Sequence, residues 1–159
     1  MMKGHPEVIE SLNAGLTVEL TAVNQYFIHS KMCESWGLFK LAKHYYDESI
    51  EEMKHAEEVI DRILYLDGVP EIGRYDVINS GTKPVEQISF NLKMESNGVA
   101  IYNEAIGICI THQDSGSRDL MERMVVESEE SVDWAEAQLD LVKMVGLENY
   151  LSQQIGEKA

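Results

Sequence analysis

The stretch Ser49-Ile50-Glu51-Glu52-Met53-Lys54-His55-Ala56 decides how the chain is read. Glu52 and His55 stand three residues apart, a spacing that puts both side chains on one face of a helix, one turn from each other. Carboxylate plus imidazole is an oxygen–nitrogen donor set suited to iron, manganese or zinc. One helix fills only part of a coordination sphere, so a second carboxylate is expected from a neighbouring helix. Alone, Glu-x-x-His is more often a pair of surface residues than a pair of ligands, and the rest of the chain has to raise its weight.

An internal repeat does so. Glu19 precedes Glu52 by 33 positions, and Glu95 precedes Ser128 by the same 33, so the two halves are offset by 76. The offset also carries Tyr26 onto Tyr102 and Ala22 onto Gly98. A glutamate on one helix followed by Glu-x-x-His on the next is thus written twice. The second copy departs at the decisive place, because the positions equivalent to Glu52 and His55 are Ser128 and Ser131.

Outward from this stretch the apolar residues recur at three and four, the helical period. Ile9, Leu12, Leu16, Glu19 with Leu20, Val23 and Tyr26 predict a helix from Pro6 to Ser35, with Pro6 in the first turn. Glu19 falls within that stripe, and a buried carboxylate needs a partner. Trp36-Gly37-Leu38 reads as a turn, and a second helix is predicted from Phe39 to Leu66. This helix has two stripes, Leu41, Tyr45, Ser49, Glu52, His55 and Val59 on one, Tyr46, Ile50, Met53, Ile60 and Leu64 on the other. A helix apolar on two faces packs on two sides, so the second stripe points to another subunit. Residues 68–83 form a long connection with three glycines. A third helix is predicted over Pro84–His112, a turn at Asp114-Ser115-Gly116-Ser117, a fourth helix over Arg118–Val145 and a short fifth over Leu147–Ile155. The expected fold is all-α, a four-helix bundle with one long crossover and a short C-terminal helix. Ser128 and Ser131 lie on the inward stripe of the fourth helix. Glu127 and Glu130 are one position back, about 100° away, and are expected in solvent or in another contact.

Composition sets the bounds. A chain of 159 residues is expected to form one domain over 1–159. With 28 acids against 13 bases the formal net charge is −15, which argues against nucleic acid and anionic membrane surfaces as partners and favours cations. No run of eighteen apolar residues is present, and Met1-Met2-Lys3-Gly4-His5-Pro6 has no hydrophobic core or cleavage site, so a cytoplasmic protein without signal peptide is expected. Cys33 and Cys109 read as small buried hydrophobes in a reducing compartment.

These residues resemble bacterioferritin from end to end. The matches include Met2-Lys3-Gly4, Asn24-Gln25-Tyr26-Phe27, Trp36-Gly37-Leu38, Glu51-Glu52-Met53-Lys54-His55-Ala56, Asp133-Trp134 and Gly146-Leu147-Glu148-Asn149-Tyr150-Leu151. The run around Met53 is the one specific to that branch of the ferritins. The resemblance implies a ferritin-like bundle and a hollow cage of twenty-four subunits that stores ferric mineral. It implies that Glu19 and His55 hold one iron, that Glu52 bridges to a second, and that Glu95 holds the second. The remaining ligands of that second iron, another bridging glutamate and another histidine, belong at 128 and 131, where this chain has serine. It makes Met53 the axial ligand of a haem b shared by two subunits, with Leu20, Asn24, Phe27 and Ile50 as walls. It adds Asp47 and Glu51 as an inner-surface iron site, with Asp47 where histidine is usual in some members. It matches Ser35, Asp67, Asp133 and Asp140 to an iron channel, and Asn149 and Ser152 to the four-fold pore. It implies ferrous iron as substrate and a ferredoxin-type reductant as partner.

A hydroxyl is a poor substitute for a carboxylate or imidazole at ferrous iron. Losing two ligands, at tenfold or more each, weakens the second iron by roughly 3–6 kcal/mol. The first expectation is therefore a storage subunit with an incomplete ferroxidase centre, in a homomeric cage or one mixed with a ferroxidase-competent subunit. The second is a self-sufficient ferroxidase in which Glu127, Glu130 or water fills the vacancy. The third is a structural or haem-carrying cage with little iron traffic. A rubrerythrin-like peroxide reductase is disfavoured, because paired Cys-x-x-Cys motifs are lacking.

Overall fold

The computed structural model describes residues 3–158, so Met2 of the Met-Lys-Gly match lies outside the described residues. Four long helices run Pro6–Ser35 (α1), Phe39–Tyr65 (α2), Pro84–Thr111 (α3) and Ser115–Val145 (α4), and a short helix, Leu147–Ser152 (α5), follows. α1 packs along α2 and α3 along α4, the two hairpins meet chiefly through α1 and α3, and residues 66–83 cross between them. None of these helices is long and apolar enough to cross a membrane.

The ends have local causes. Pro6 stands in the first turn of α1, and His5 Nδ1 accepts the backbone N–H of Glu7 as its cap. Gly37 takes φ 81°, the left-handed residue that lets the chain reverse after α1. α4 starts three residues earlier than the sequence predicts. Asp114 is its N-cap, accepting from the Ser117 N–H at 3.0 Å and the Ser117 hydroxyl at 2.7 Å, so residues 115–117 are helical and not a turn. Gly116 lies against the Arg62 guanidinium that bonds Asp114, and the nearest guanidinium nitrogen is 2.6 Å from where a Cβ would stand. α5 stops at Ser152, short of Ile155, because the following carbonyls of Gln154 and Ile155 turn back to accept from Lys40 and Phe39 N–H at the start of α2.

The crossover is held by a ladder the periodicity did not announce. Asn13, Thr17, Thr21, Gln25 and His29 recur every four residues on α1, and all are buried. Asn13 accepts from Glu71 N–H and donates to Val69 O; Thr17 accepts from Arg74; Thr21 from Asp76 N–H; Gln25 from Asn79 N–H; His29 from Gly81 N–H. Four backbone N–H groups of the connection, those of Glu71, Asp76, Asn79 and Gly81, thereby find acceptors.

The apolar core falls into two clusters. One is built around Leu12, Leu16, Val59, Ile63, Tyr102, Cys109, Met121 and Met124, the other around Tyr26, Cys33, Leu41, Tyr45, Ile88, Ala135 and Tyr150. Both cysteines are buried and free. The clusters leave a polar layer across the middle of all four helices, occupied by buried Glu19, Glu52, Glu95 and Ser128. On the outside, the second stripe of α2 is uncovered, with Tyr46, Ile50, Met53 and Leu64 all exposed and Ile60 half-buried.

Candidate metal centre

All four long helices contribute to the polar layer, each with a polar side chain that interrupts its inward apolar stripe. Glu19 and Glu52 come from the first hairpin, Glu95 and Ser128 from the second. Ligand atoms of Glu19, Glu52 and His55 lie within 4.8 Å of one another, a spacing one cation can span. His55 Nδ1 is 3.3 Å from Glu52 Oε2 and 3.5 Å from Glu19 Oε2. Its other nitrogen, Nε2, meets the carboxylate of Glu127. A ligand histidine held through its far nitrogen by a carboxylate is fixed in ring orientation and made more basic.

Glu127 therefore departs from the sequence reading in one respect. It lies off the inward stripe and its side chain is half exposed, as expected, yet it reaches back to the site. Rotation by 100° misplaces a Cβ, and a three-bond side chain recovers the difference. Glu130 stays exposed at the mouth of the neighbouring cavity.

The repeat is visible as a crossed pair of tyrosines. The Tyr102 hydroxyl donates to Glu19, and the Tyr26 hydroxyl lies beside Glu95, where it and Ser128 favour the charged form. Gly98 packs beside Val18 and Ser128, and a Cβ there would stand 3.2 Å from Val18 and in ordinary contact, 3.5 Å, with the Ser128 Oγ. Here the symmetry ends. Glu19 has an imidazole across from it, whereas Glu95 has a hydroxyl; one oxygen of each carboxylate, Glu19 Oε2 and Glu95 Oε2, is buried without a hydrogen-bond partner. Ser131 is half-buried and its Oγ donates to Glu48 Oε2 at 3.4 Å, away from Glu95.

Electrostatics follow burial. Burial first, and the Glu19 carboxylate second, push Glu52 well above the usual carboxylate range. Burial, then Glu52 and Glu48, do the same to Glu95. Burial pulls His55 down, but Glu19 and Glu52 outweigh it and hold the imidazole at about 11. A metal that binds here has to displace protons held by these groups.

The other residues read from the sequence lie apart from this cluster. Asp47 pairs with Lys43 at 2.6 Å and Glu51 with Lys54 at 3.2 Å on the exposed side of α2. Met53 is 44% exposed on the same face as Ile50, with Phe27 and Asn24 exposed and Leu20 half-buried on α1. Ser35, Asp67, Asp133, Asp140, Asn149 and Ser152 are all at the surface. Sequence reasoning did not single out His44 and Glu48, which line a cavity of about 360 Å³ beside Glu52 and His55. Their spacing of four from each other and from Glu52 was the available signal.

Residues 9–145 match the ferritin-like domain family. The bacterioferritin of Mycobacterium bovis is 43% identical over 152 residues, 96% of each chain. The bacterial ferritin of Pseudomonas aeruginosa is 44% identical over 155 residues, 97% of this chain and all of that one. The bacterioferritin of Rhodobacter capsulatus is 40% identical over 149 residues, 94% of this chain and 92% of that one.

Proposed function

Since the chain belongs to the bacterioferritin branch of the ferritin-like family, an iron-storage family, we propose that it is a cage subunit that stores iron and carries only half of a ferroxidase centre. Ferrous iron is the substrate. Glu19, Glu52 and His55 take one ion, Glu127 positions His55, and Tyr102 fixes Glu19. Glu95 is the remnant of the second position. The observation that carries the reading is the asymmetry of the layer: Glu19 and Glu52 share an imidazole, His55, whereas Glu95 faces serine at the equivalent place. A dinuclear reaction relies on two metals held together, so this subunit leaves fast oxidation to another subunit type in a mixed cytoplasmic cage of twenty-four, with a ferredoxin-type reductant for release.

Acquiring the ion is proton exchange. His55 enters as an imidazolium and Glu52 with a raised pKa; both surrender a proton to become ligands. Two anionic carboxylates and a neutral imidazole then surround one divalent charge, which balances the carboxylates. Glu95 keeps its proton, because no cation offsets its burial.

Haem fits the outer face of α2. Met53 offers an exposed thioether, framed by exposed Ile50 and Phe27 on an apolar stripe without a cover. An isologous contact brings the same residue of two chains together on the axis, so Met53 from each would ligate the iron of one haem b, walled by Leu20, Asn24, Phe27 and Ile50. When bound, the haem supplies one-electron transfer across the subunit pair.

The alternative, a self-sufficient ferroxidase using Glu127 or Glu130, has one observation in its favour, the reach of Glu127 into the site. That same contact commits Glu127 to His55 and not to the Glu95 side. Restoring the ligands decides the matter. Ser128→Glu with Ser131→His is expected to raise the initial rate of ferrous oxidation at least tenfold; an unchanged rate means the native centre is already complete.

A further inference from the structure

We propose that α2 carries a second cation site of its own, one turn above Glu52, in which His44 and Glu48 bind a divalent transition metal ion beside Glu52. The proposal rests on the reading of Glu19, Glu52 and His55 as the first ion's ligands.

His44, Glu48 and Glu52 stand four apart and so share one face of α2. That face looks across a cavity of about 360 Å³ to α4, where Glu127, Glu130, Ser131 and Trp134 form the opposite wall. Five carboxylates line the space and no lysine or arginine does, although one of the five, Glu51 at the rim, pairs with Lys54 at 3.2 Å. The donors missing from α4 are one carboxylate and one imidazole. Those supplied here by α2 are again one carboxylate and one imidazole. Ser131 links the two facts: its hydroxyl, at the position where the repeat would place an imidazole, donates to Glu48 at 3.4 Å. A histidine at 131 would occupy the room Glu48 now uses.

The imidazole is already oriented. His44 stacks on the Trp134 indole with centroids 3.8 Å apart and planes 15° from parallel, and meets Tyr45 edge-on at 5.6 Å. Its Nε2 stands 3.9 Å from Glu48 Oε1, so a rotation of the Glu48 side chain brings both donors onto one ion. Burial holds His44 down at about 4, so the ring is neutral and its lone pair free at neutral pH. The ion would sit toward the α2–α4 groove and not beside Glu95, so it restores cation loading without restoring the dinuclear pair.

Zinc, which has no redox chemistry, is the probe. Crystals soaked in zinc and measured at its absorption edge are expected to show one anomalous peak at Glu19–Glu52–His55 and a second between His44 and Glu48, beside Glu52. Glu48→Gln, and His44→Phe, which keeps a ring on Trp134, should each remove the second peak and leave the first. In solution the second tight zinc per subunit should weaken at least tenfold in both variants. A first peak with no second overturns this proposal and leaves the one-ion reading standing. A second peak that persists in both variants, or that sits against Glu95, also overturns it, and in the latter case the one-ion reading falls too. A wild-type crystal without zinc at Glu19–Glu52–His55 removes the reading on which both depend.

Discussion

At the scale of the residue, two serines separate this chain's polar layer from a symmetric one. Ser128 and Ser131 are small, neutral and already satisfied, Ser131 by Glu48. They leave Glu95 without the imidazole that Glu19 has across from it. Burial raises Glu95 and Glu52 above the ordinary carboxylate range, and His55 is held at about 11 by its two glutamates. Loading one ferrous ion is therefore expected to release about two protons near neutral pH, measurable by calorimetry in buffers of different ionisation enthalpy. Release of none would mean that the ligands are ionised and neutral beforehand. Glu127→Ala should leave the ion bound but tenfold or more weaker, the usual size for losing the carboxylate behind a ligand histidine.

Much of the residue scale was legible from the sequence, because Glu19, Glu52, His55 and Glu95 are acids and a base on apolar stripes, and burying such groups demands a reason. The role of Glu127 was not. Helical rotation fixes where a Cβ points, and the far end of a glutamate ranges beyond it. His44 was hidden for a different reason: what makes it a ring in a fixed place is Trp134 on another helix.

At the scale of the element, the four long helices were read to within a residue or two at most ends, since Pro6, Gly37, Pro84 and Gly146 punctuate the chain. The start of α4 was misplaced because Ser-Gly-Ser resembles a turn until Asp114 is seen to cap it. The ladder on α1 was missed because Asn13, Thr17, Thr21, Gln25 and His29 look like a solvated face. What buries them is a connection that has no period of its own. Thr21→Val keeps the shape but leaves Asp76 N–H without its acceptor, and is expected to cost about 1–3 kcal/mol of stability, the range for an unpaired buried group, read from denaturant midpoints. His29 adds a pH dependence. Burial lowers its pKa from the ordinary value, so below about pH 6.5 the unfolded chain takes up a proton that the native chain refuses. The stability it supports is present above that value and lost as pH falls through it toward the lowered one. Amide exchange of residues 74–81 should speed up on acidification from pH 7 to pH 5, and His29→Gln should flatten that dependence; an equal acid response in the variant contradicts the assignment.

At the scale of the whole molecule, the acidic layer divides the core and the uncovered stripe of α2 marks where the bundle is unfinished. Tyr46, Ile50, Met53 and Leu64 are exposed together, an apolar face that another copy of the chain would bury. Met53→Leu conserves the apolar surface and removes the sulfur, so the purified variant is expected to assemble like the wild type while its haem Soret absorbance falls at least tenfold. Retention of the full band would assign the axial ligand elsewhere. The net charge of −15 favours a high local concentration of cations around the protein.

The central claim is that this subunit binds iron without a working pair of irons, and anaerobic loading followed by stopped-flow mixing with oxygen tests it most directly. With two ferrous ions added per subunit, the pure protein is predicted to oxidise them slowly, without a fast phase that saturates; a rapid phase ending at two ions per subunit would contradict it.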